Sequence, residues 1–111
     1  MAKKHYQMLK KIKKEFEKKG YFLFPTWERI YSGVPDIIGV SPEGKFIGIE
    51  VKTTSSRNAE KLLSPTQKYF KDRIIENKGE FYIYYGEGKL TGFYNEKSND
   101  EILWPLSWKE K

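Results

Sequence analysis

The sequence predicts an α/β domain, or an α+β domain, in which helices flank a central mixed sheet in the order α-β-β-β-β-α-β-β. Two segments have the residue pattern of helices that end at a glycine. Short runs rich in aromatic and β-branched residues, which favour strands, lie between these segments and after the second one. A length of 111 residues allows one domain with a modest hydrophobic core and leaves no room for a second domain. We therefore expect a single domain over residues 1–111.

A first helix is predicted over residues 3–19. Its apolar positions recur every three or four residues, and Gly20 stands where a helix commonly ends. These apolar positions are Tyr6, Leu9, Ile12 and Phe16.

The net charge of the protein is concentrated at the same place. Residues 1–20 hold eight Lys and two Glu, which accounts for the whole net charge of +6. A concentrated basic element indicates a polyanionic partner, either nucleic acid or a membrane surface, unless it is only a solvated lysine face.

The composition excludes several classes of site. The absence of Cys rules out disulfides and thiolate chemistry, and a single His, His5, rules out paired-His zinc motifs. The longest uncharged run of aromatic and aliphatic residues, 21–27, is too short to cross a bilayer. The N-terminus lacks an apolar signal core, so we expect an intracellular protein without membrane association.

Strands are predicted where aromatic or β-branched runs lie between turn residues. Residues 36–40 and 45–52 form a hairpin around Ser41-Pro42-Glu43-Gly44. The other predicted strands are 21–24 and 26–31, separated by Pro25, followed by 80–85 and 88–94. Residues 53–63 are expected to form a loop, and the tail 102–108 receives no assignment.

A second helix is predicted over residues 64–78. Ser64 is suited to the N-cap, Pro65 to the first helical position, and Gln67 to the closing position of a capping box. The helix is expected to turn Phe70, Ile74 and Ile75 inward and to end at Gly79.

The pattern that carries chemistry lies on the hairpin, over residues 34–52. Alternation places Glu50 and Lys52 on one strand face, while Ile47, Ile49 and Val51 take the other. Glu50 and Lys52 alone would fit an ordinary solvent-side ion pair, which contributes about 0–1 kcal/mol.

Asp36 begins the neighbouring strand and changes this interpretation. Two carboxylates held together repel unless a cation lies between them, and oxygen ligands suit Mg²⁺ or Mn²⁺. Lys52 beside such a cation would neutralise phosphate charge or orient an attacking water, as phosphodiester hydrolysis requires.

The register of the hairpin decides whether the two carboxylates meet. A four-residue loop, 41–44, would pair Asp36 with Ile49 and place it on the face opposite Glu50. A one-residue bulge at Gly44 or Gly48, or a splayed strand start, would return Asp36 to the face of Glu50.

Three segments together resemble a known superfamily: Gly33-Val34-Pro35-Asp36, Ile49-Glu50-Val51-Lys52 and Leu63-Ser64-Pro65-Thr66-Gln67. Over residues 5–85 the chain is similar to PD-(D/E)XK nucleases, and among these to the stand-alone virus-type replication-repair nuclease (VRR-NUC) domain. The resemblance implies a restriction-endonuclease-like core and a Mg²⁺- or Mn²⁺-dependent endodeoxyribonuclease.

The resemblance also implies roles for individual residues. Asp36 and Glu50 would be metal ligands, Lys52 the catalytic lysine, and Gln67 a helix residue near the active site. A backbone carbonyl, of Ile49 or Val51, would complete the ligands.

His5 departs from the family pattern. The family carries a Glu on the first helix about fifteen residues before the terminal Gly, which corresponds to His5 here. His5 lies on the apolar stripe, so it is either a direct or water-mediated metal contact or a packed core residue. The exchange makes a single-metal mechanism, or a preference for Mn²⁺, an open alternative.

Contacts to nucleic acid are predicted on two elements. Phosphate contacts are expected from exposed basic side chains of the first helix and of the 53–63 loop. These are Lys10, Lys11, Lys14, Lys18, Arg57 and Lys61. Four aromatic residues either stack on unpaired bases or belong to the core or a dimer interface. These are Tyr82, Tyr84, Trp104 and Trp108.

The resulting hypothesis is a homodimeric DNA endonuclease acting on Holliday junctions or other branched DNA in repair or recombination. The resemblance makes a prokaryotic cytoplasm or a virus-infected host cell the expected location. Three alternatives stay open: a non-catalytic nucleic-acid-binding module of the same fold, a nicking or restriction-type nuclease, and an unrelated basic α/β protein with a surface Glu50–Lys52 pair.

Overall fold

The computed structural model describes residues 3–26, 33–86, 88–93 and 101–103, the last of these by backbone alone. The two α-helices of this part are α1 (Lys3–Glu17) and α2 (Pro65–Glu76). Its strands are β1 (Phe22–Pro25), β2 (Ile37–Val40), β3 (Phe46–Lys52), β4 (Glu80–Tyr85), β5 (Lys89–Phe93) and β6 (Glu101–Leu103). Neither helix is long and apolar enough to cross a membrane.

The described strands form one mixed sheet in the order β1-β2-β3-β4-β5-β6. Every neighbouring pair is antiparallel except β3 and β4, which run parallel. A parallel pair needs a crossover connection, and α2 provides it. The sheet with flanking helices confirms the predicted fold class, although three described strands precede α2 and three follow it, where four and two were predicted.

The two faces of the sheet have separate cores. Beneath α1, Met8, Leu9, Ile12 and Phe16 pack on the predicted apolar face of β3, which consists of Ile47, Ile49 and Val51. Tyr6 was predicted for the same stripe, but it is 41% exposed, so its assignment to the stripe was wrong. On the opposite face, Ile74 and Ile75 of α2 pack against β4 and β5. Because β3 contacts both helices, its side chains other than Phe46 and Lys52 are buried.

The loop of the β2–β3 hairpin has five residues, so the predicted four-residue loop was wrong. Val40 pairs with Phe46, and the Ser41 amide donates to the Lys45 carbonyl at 2.8 Å. Gly44 adopts a φ of +86°, and its amide donates to the Ser41 carbonyl at 2.9 Å. This is a turn closed by a glycine bulge, the first of the bulge positions that the sequence left open.

Other boundaries also differ from expectation. Pro25 does not interrupt a strand but ends β1, where it pairs with Ile37. A proline is tolerated there because β1 is an edge strand with no partner needing its amide. The expected loop 53–63 contains a 3₁₀ helix, Ala59–Leu62, which Asn58 caps by accepting from the Glu60 amide. The predicted strand 26–31 lies outside the described residues beyond Thr26.

The tyrosines proposed for base stacking belong to the core. Tyr82 and Tyr84 are 1% and 5% exposed beneath α1, so stacking on bases was wrong for both. The ring of Tyr82 lies 4.9 Å from that of Phe16 in an edge-to-face arrangement. Trp104 and Trp108, and the tail beyond Leu103, lie outside the described residues.

A buried carboxylate binds two phenols at the start of β4. Glu80 accepts a hydrogen bond from Tyr82 at 2.6 Å and a long one from Tyr21 at 3.4 Å. Burial and the charge of Glu80 raise the pKa of Tyr21 to about 12. Burial and the hydrogen bond to Glu80 raise the pKa of Tyr82 as well.

These shifts predict a loss of stability at alkaline pH. The folded state holds the phenolic protons more tightly than the unfolded chain, whose tyrosines titrate near pH 10. The contribution is therefore complete below about pH 10, and it declines as the pH rises towards the folded pKa of Tyr21, about 12. Urea unfolding across this range should give a flatter pH slope for Tyr82→Phe. The exposed Tyr69 serves as the control, and an equal flattening in Tyr69→Phe would contradict the assignment.

The positive φ angle of Gly44 predicts that substitutions there lower the free energy of unfolding by different amounts. A Cβ there meets nothing within 4 Å, so the cost of a side chain is backbone strain rather than collision. Gly44→Val should lower the free energy of unfolding by about 1–2 kcal/mol, and Gly44→Asn by clearly less, because Asn tolerates the left-handed region. Urea unfolding measures both, with Glu43→Ala as the exposed-loop control. Equal stability of the Val and Asn variants would show that the glycine conformation does not matter.

Candidate active site

Asp36 lies at the point where β2 separates from β3. One of its carboxylate oxygens, Oδ2, accepts a hydrogen bond from the Val51 amide at 2.8 Å. Because β2 begins only at Ile37, the Val51 amide lies just beyond the β2–β3 ladder. The Asp36 carboxylate accepts the hydrogen bond that a backbone carbonyl of a paired strand would otherwise accept. The side chain is 5% exposed, so it is held inside the protein rather than at its surface.

Thr26 fixes the backbone that carries Asp36. Its amide donates to the Asp36 carbonyl at 2.9 Å, and its hydroxyl donates to the Pro35 carbonyl. No local pattern in the sequence indicates this role, because the hydroxyl contact joins residues nine positions apart. Thr26 is therefore a positioning residue that sequence reasoning missed.

Glu50 comes opposite Asp36 when the β2–β3 register is continued by one residue beyond the Ile37–Ile49 pair. The five-residue loop is what produces this alignment. Glu50 is 1% exposed, which is incompatible with the solvent-side ion pair considered for Glu50 and Lys52. Two acidic side chains are thus buried at facing positions of one hairpin.

Lys52 and Gln67 join the end of β3 to the start of α2. The Lys52 ammonium donates to Gln67 Oε1 at 2.9 Å. The same oxygen accepts from the Ser64 amide at 2.9 Å, and Ser64 Oγ accepts from the Gln67 amide, which completes the predicted capping box. Gln67 therefore caps the helix and holds Lys52 at the same time, as the sequence allowed.

His5 reaches the same place from α1. Its Nε2 lies 3.0 Å from the Val51 carbonyl oxygen and 3.5 Å from Asp36 Oδ2. Its Nδ1 is buried and has no hydrogen-bond partner among the described residues. The contact joins residues 46 positions apart, and it places the only His of the chain beside Asp36.

The donor atoms at this place suit a hard divalent cation. Two buried carboxylates at facing positions are costly without a compensating positive charge, and their oxygens are the ligands that Mg²⁺ and Mn²⁺ prefer. Among the described residues, no group of three or more His, Cys, Asp or Glu side chains could hold a metal ion by itself. The fit therefore depends on Asp36, Glu50 and a backbone carbonyl, with water or substrate completing the shell.

Val51 is the better placed of the two carbonyl candidates. Its carbonyl is contacted by His5 and its amide donates to Asp36, so both groups lie on the side of β3 that carries Asp36. Ile49 is instead paired with Ile37 inside the sheet ladder.

The predicted phosphate-binding residues are all exposed, but they spread over a long surface. Along α1, Lys10 and Lys11 lie roughly 8–9 Å from His5, whereas Lys18 lies about 20 Å away at 1.5 Å per residue. Lys18 also pairs with Glu15 at 3.3 Å.

The loop that carries Arg57 and Lys61 is anchored by a buried lysine that the sequence did not single out. Lys71 of α2 pairs with Glu60 at 2.9 Å and with Asp72 at 3.0 Å. Burial disfavours the charge of Lys71, but the two carboxylates outweigh it and raise its pKa. A lysine on a polar helix gives no sequence signal of burial, so this anchor was not predictable.

Comparison with known proteins identifies the fold. No family model matches the sequence, and no curated protein matches it. Among solved structures, one described as a VRR_NUC domain has a TM-score of 0.59 and 22% identity, covering 89% of this chain and 92% of that one. The chain thus has the fold of a VRR-NUC domain, a PD-(D/E)XK-type nuclease fold, as its motifs predicted.

A second solved structure is Hjc, a Holliday junction resolvase from Archaeoglobus fulgidus, an archaeal hyperthermophile. It has a TM-score of 0.49 and 16% identity, covering 82% of this chain and 72% of that one.

The double role of Gln67 predicts how its variants differ. Gln67→Ala removes the acceptor for the Ser64 amide and should lower the free energy of unfolding by about 1 kcal/mol. Gln67→Glu keeps a capping-box acceptor and places a carboxylate beside the Lys52 ammonium, so it should stay within about 0.5 kcal/mol of the native protein. Urea unfolding measures both, with exposed Lys68→Ala as the control. If Gln67→Glu lowered the free energy of unfolding as much as Gln67→Ala, the loss of the shared acceptor would not explain the destabilisation.

Proposed function

We propose that this protein is a divalent-cation-dependent DNA endonuclease. The observation that carries the proposal is the alignment of buried Asp36 opposite buried Glu50, with the Val51 backbone between Asp36 and His5. The VRR-NUC fold supports it independently of these contacts.

In the proposed reaction, a water oxygen forms a bond to phosphorus, and the bond from phosphorus to one sugar oxygen breaks. The attacking water gives up one proton as it bonds to phosphorus, and the departing oxygen leaves with the electron pair and takes up one proton, so the net reaction consumes one water. When bound, Mg²⁺ or Mn²⁺ supplies Lewis-acid polarisation of the phosphate oxygens. Asp36, Glu50 and the Val51 carbonyl would hold it.

Lys52 would act on the phosphate or on the attacking water. Lys52 follows Val51 in β3, and it is only half-buried, so its side chain remains accessible to substrate. The hydrogen bond to Gln67 restricts its position, and a pre-positioned cation stabilises the charge that develops on the phosphate. Gln67 serves here as a positioning residue.

DNA is the proposed substrate because the charge of the chain is concentrated on α1. Of the helix lysines predicted to bind phosphate, Lys10 and Lys11 are exposed and lie nearest to His5 along the helix axis. Exposed basic side chains bind the phosphate backbone without reading sequence. Lys14, Lys18, Arg57 and Lys61 would extend this contact along the duplex.

Branched DNA is the finer form of the proposal. It follows from the resemblance of the motifs to stand-alone VRR-NUC domains. Symmetric cutting of a four-way junction needs two sites, which a homodimer with two-fold symmetry would provide. A nicking or restriction-type activity on linear duplex is the competing outcome.

The decisive assay uses labelled four-way junction, linear duplex and single-stranded DNA with Mg²⁺, Mn²⁺ or EDTA. We expect cleavage only with a divalent cation. Lys52→Met and Asp36→Asn should lower the cleavage rate by about 10²–10⁴-fold. The matched control is Lys45→Met, an exposed lysine in the hairpin loop at the opposite end of β3.

Each result separates the alternatives. Paired nicks in the junction alone support the dimeric resolvase form, whereas cutting of every substrate supports a nuclease without junction preference. Salt-sensitive DNA binding without any cleavage would replace the proposal by a non-catalytic binding module. Full activity of Asp36→Asn would show that the site is elsewhere.

A further inference from the structure

The loop 53–63 begins directly after Lys52 and ends directly before Ser64. These two residues belong to one hydrogen-bonded group, because the Lys52 ammonium and the Ser64 amide donate to the same oxygen of Gln67, each at 2.9 Å. The base of the loop is therefore closed by side chains of the candidate site.

The loop is also attached to the sheet beyond its base. Ser55 packs on Gly86, where an added Cβ would lie 2.9 Å from the Cβ of Ser55. Ala59 and Leu63 are 1% and 5% exposed and belong to the core beneath α2. Because this core lies on the sheet face opposite α1, the loop and α1 lie on different sides of the sheet.

Lys71 of α2 adds a charged attachment. Its ammonium lies 2.9 Å from the carboxylate of Glu60 and 3.0 Å from that of Asp72, and it is 5.1 Å from the ring centre of Phe93 in β5. Lys71 is only 4% exposed, so its charge cannot reach a phosphate itself. A buried ammonium is costly without its carboxylate partner, which favours keeping Glu60 in this position.

The attached loop presents two exposed cations, Arg57 and Lys61. Arg57 lies between Ser56 and Asn58, which are joined by a hydrogen bond from the Asn58 amide to the Ser56 hydroxyl at 3.2 Å. Lys61 directly follows Glu60, the partner of Lys71. Groups that are already held in place lose less conformational freedom on binding than groups that must first become ordered.

We infer that the loop 53–63 is a preformed binding surface for DNA phosphates on the sheet face opposite α1, and that the Lys71–Glu60 ion pair holds it in place. The inference rests on the proposed function, since it concerns how the DNA of that reaction is bound. Lys71 is a positioning residue that acts through Arg57 and Lys61, and it does not contact DNA.

The first test uses the direction of change in Glu60→Ala. This substitution removes a negative charge next to Lys61, so charge alone predicts tighter binding of DNA. Loss of the attachment to Lys71 predicts the opposite. We expect roughly 3–10-fold weaker binding of a labelled linear duplex, measured by fluorescence anisotropy in EDTA. Unchanged or tighter binding would overturn the inference.

The second test measures how the affinity for the same duplex depends on salt, over about 50–200 mM NaCl. Lys71→Met should reduce the slope of log affinity against log salt by about 1–2, although Lys71 is buried, because two phosphate contacts are weakened. Arg57→Ala combined with Lys61→Ala should reduce it equally. Adding Lys71→Met to that pair should change the affinity by less than about twofold.

Arg73→Met is the matched control for Lys71→Met. It removes the same charge from the same helix, but Arg73 is exposed and pairs with Glu76 rather than with the loop. We expect the salt slope of this variant to equal that of the native protein. A reduction as large as that of Lys71→Met would attribute the effect to charge alone and overturn the inference.

The remaining outcomes distinguish this inference from the proposed function. An unchanged slope in folded Lys71→Met, or in Arg57→Ala with Lys61→Ala, would overturn the inference and leave the nuclease proposal standing if the native protein cleaves DNA. Absence of salt-dependent DNA binding by the native protein would contradict both. Circular dichroism checks the fold of each variant, and Glu60→Ala decides the question if Lys71→Met does not fold.

Discussion

The register of the β2–β3 hairpin is the constraint on which the candidate site depends. Side chains alternate between the two faces of a strand, so a slip of one residue exchanges every buried side chain for its neighbour. The turn closed by Gly44 sets Ile37 against Ile49, and Asp36 therefore arrives opposite Glu50. The same register places Ile47, Ile49 and Val51 beneath α1. The alignment of β2 with β3 that buries these apolar side chains is therefore also the one that places Asp36 opposite Glu50.

The strand β3 contacts the other side chains of the candidate site, which come from the helices on both faces of the sheet. Its apolar face binds α1, and that packing brings His5 to the Val51 carbonyl. Its end is joined to α2 through Lys52 and Gln67. The parallel β3–β4 pair requires the crossover through α2. The first turn of this helix, which contains the capping residue Gln67, lies next to the end of β3. Both helices are thus attached to the site by the elements that build the core.

The sequence predicted what neighbouring residues determine. The capping box of Ser64 and Gln67, the alternation of β3 and the stripe of α1, apart from the exposed Tyr6, are local patterns that the structure contains. The hairpin register depended on a hydroxyl–amide contact between Ser41 and Lys45 and on the φ angle of Gly44, which composition does not fix. The contact of His5 spans 46 residues, and the support of Asp36 by the Thr26 amide also joins residues that are not neighbours in the sequence, so only the folded chain reveals them.

The attachment of His5 also connects DNA binding to the chemistry of the proposed site. The helix that carries the basic surface is held to the sheet by buried Leu9, Ile12 and Phe16 and by the imidazole at its first turn. A phosphate backbone bound along α1 is then placed at a fixed offset from Asp36 and Glu50. If α1 binds DNA as proposed, the lysines nearest His5 would have the most direct influence on which phosphate reaches Asp36 and Glu50, because the helix rises only 1.5 Å per residue. Rigid packing of α1, more than the number of its lysines, would therefore set the position of the cut.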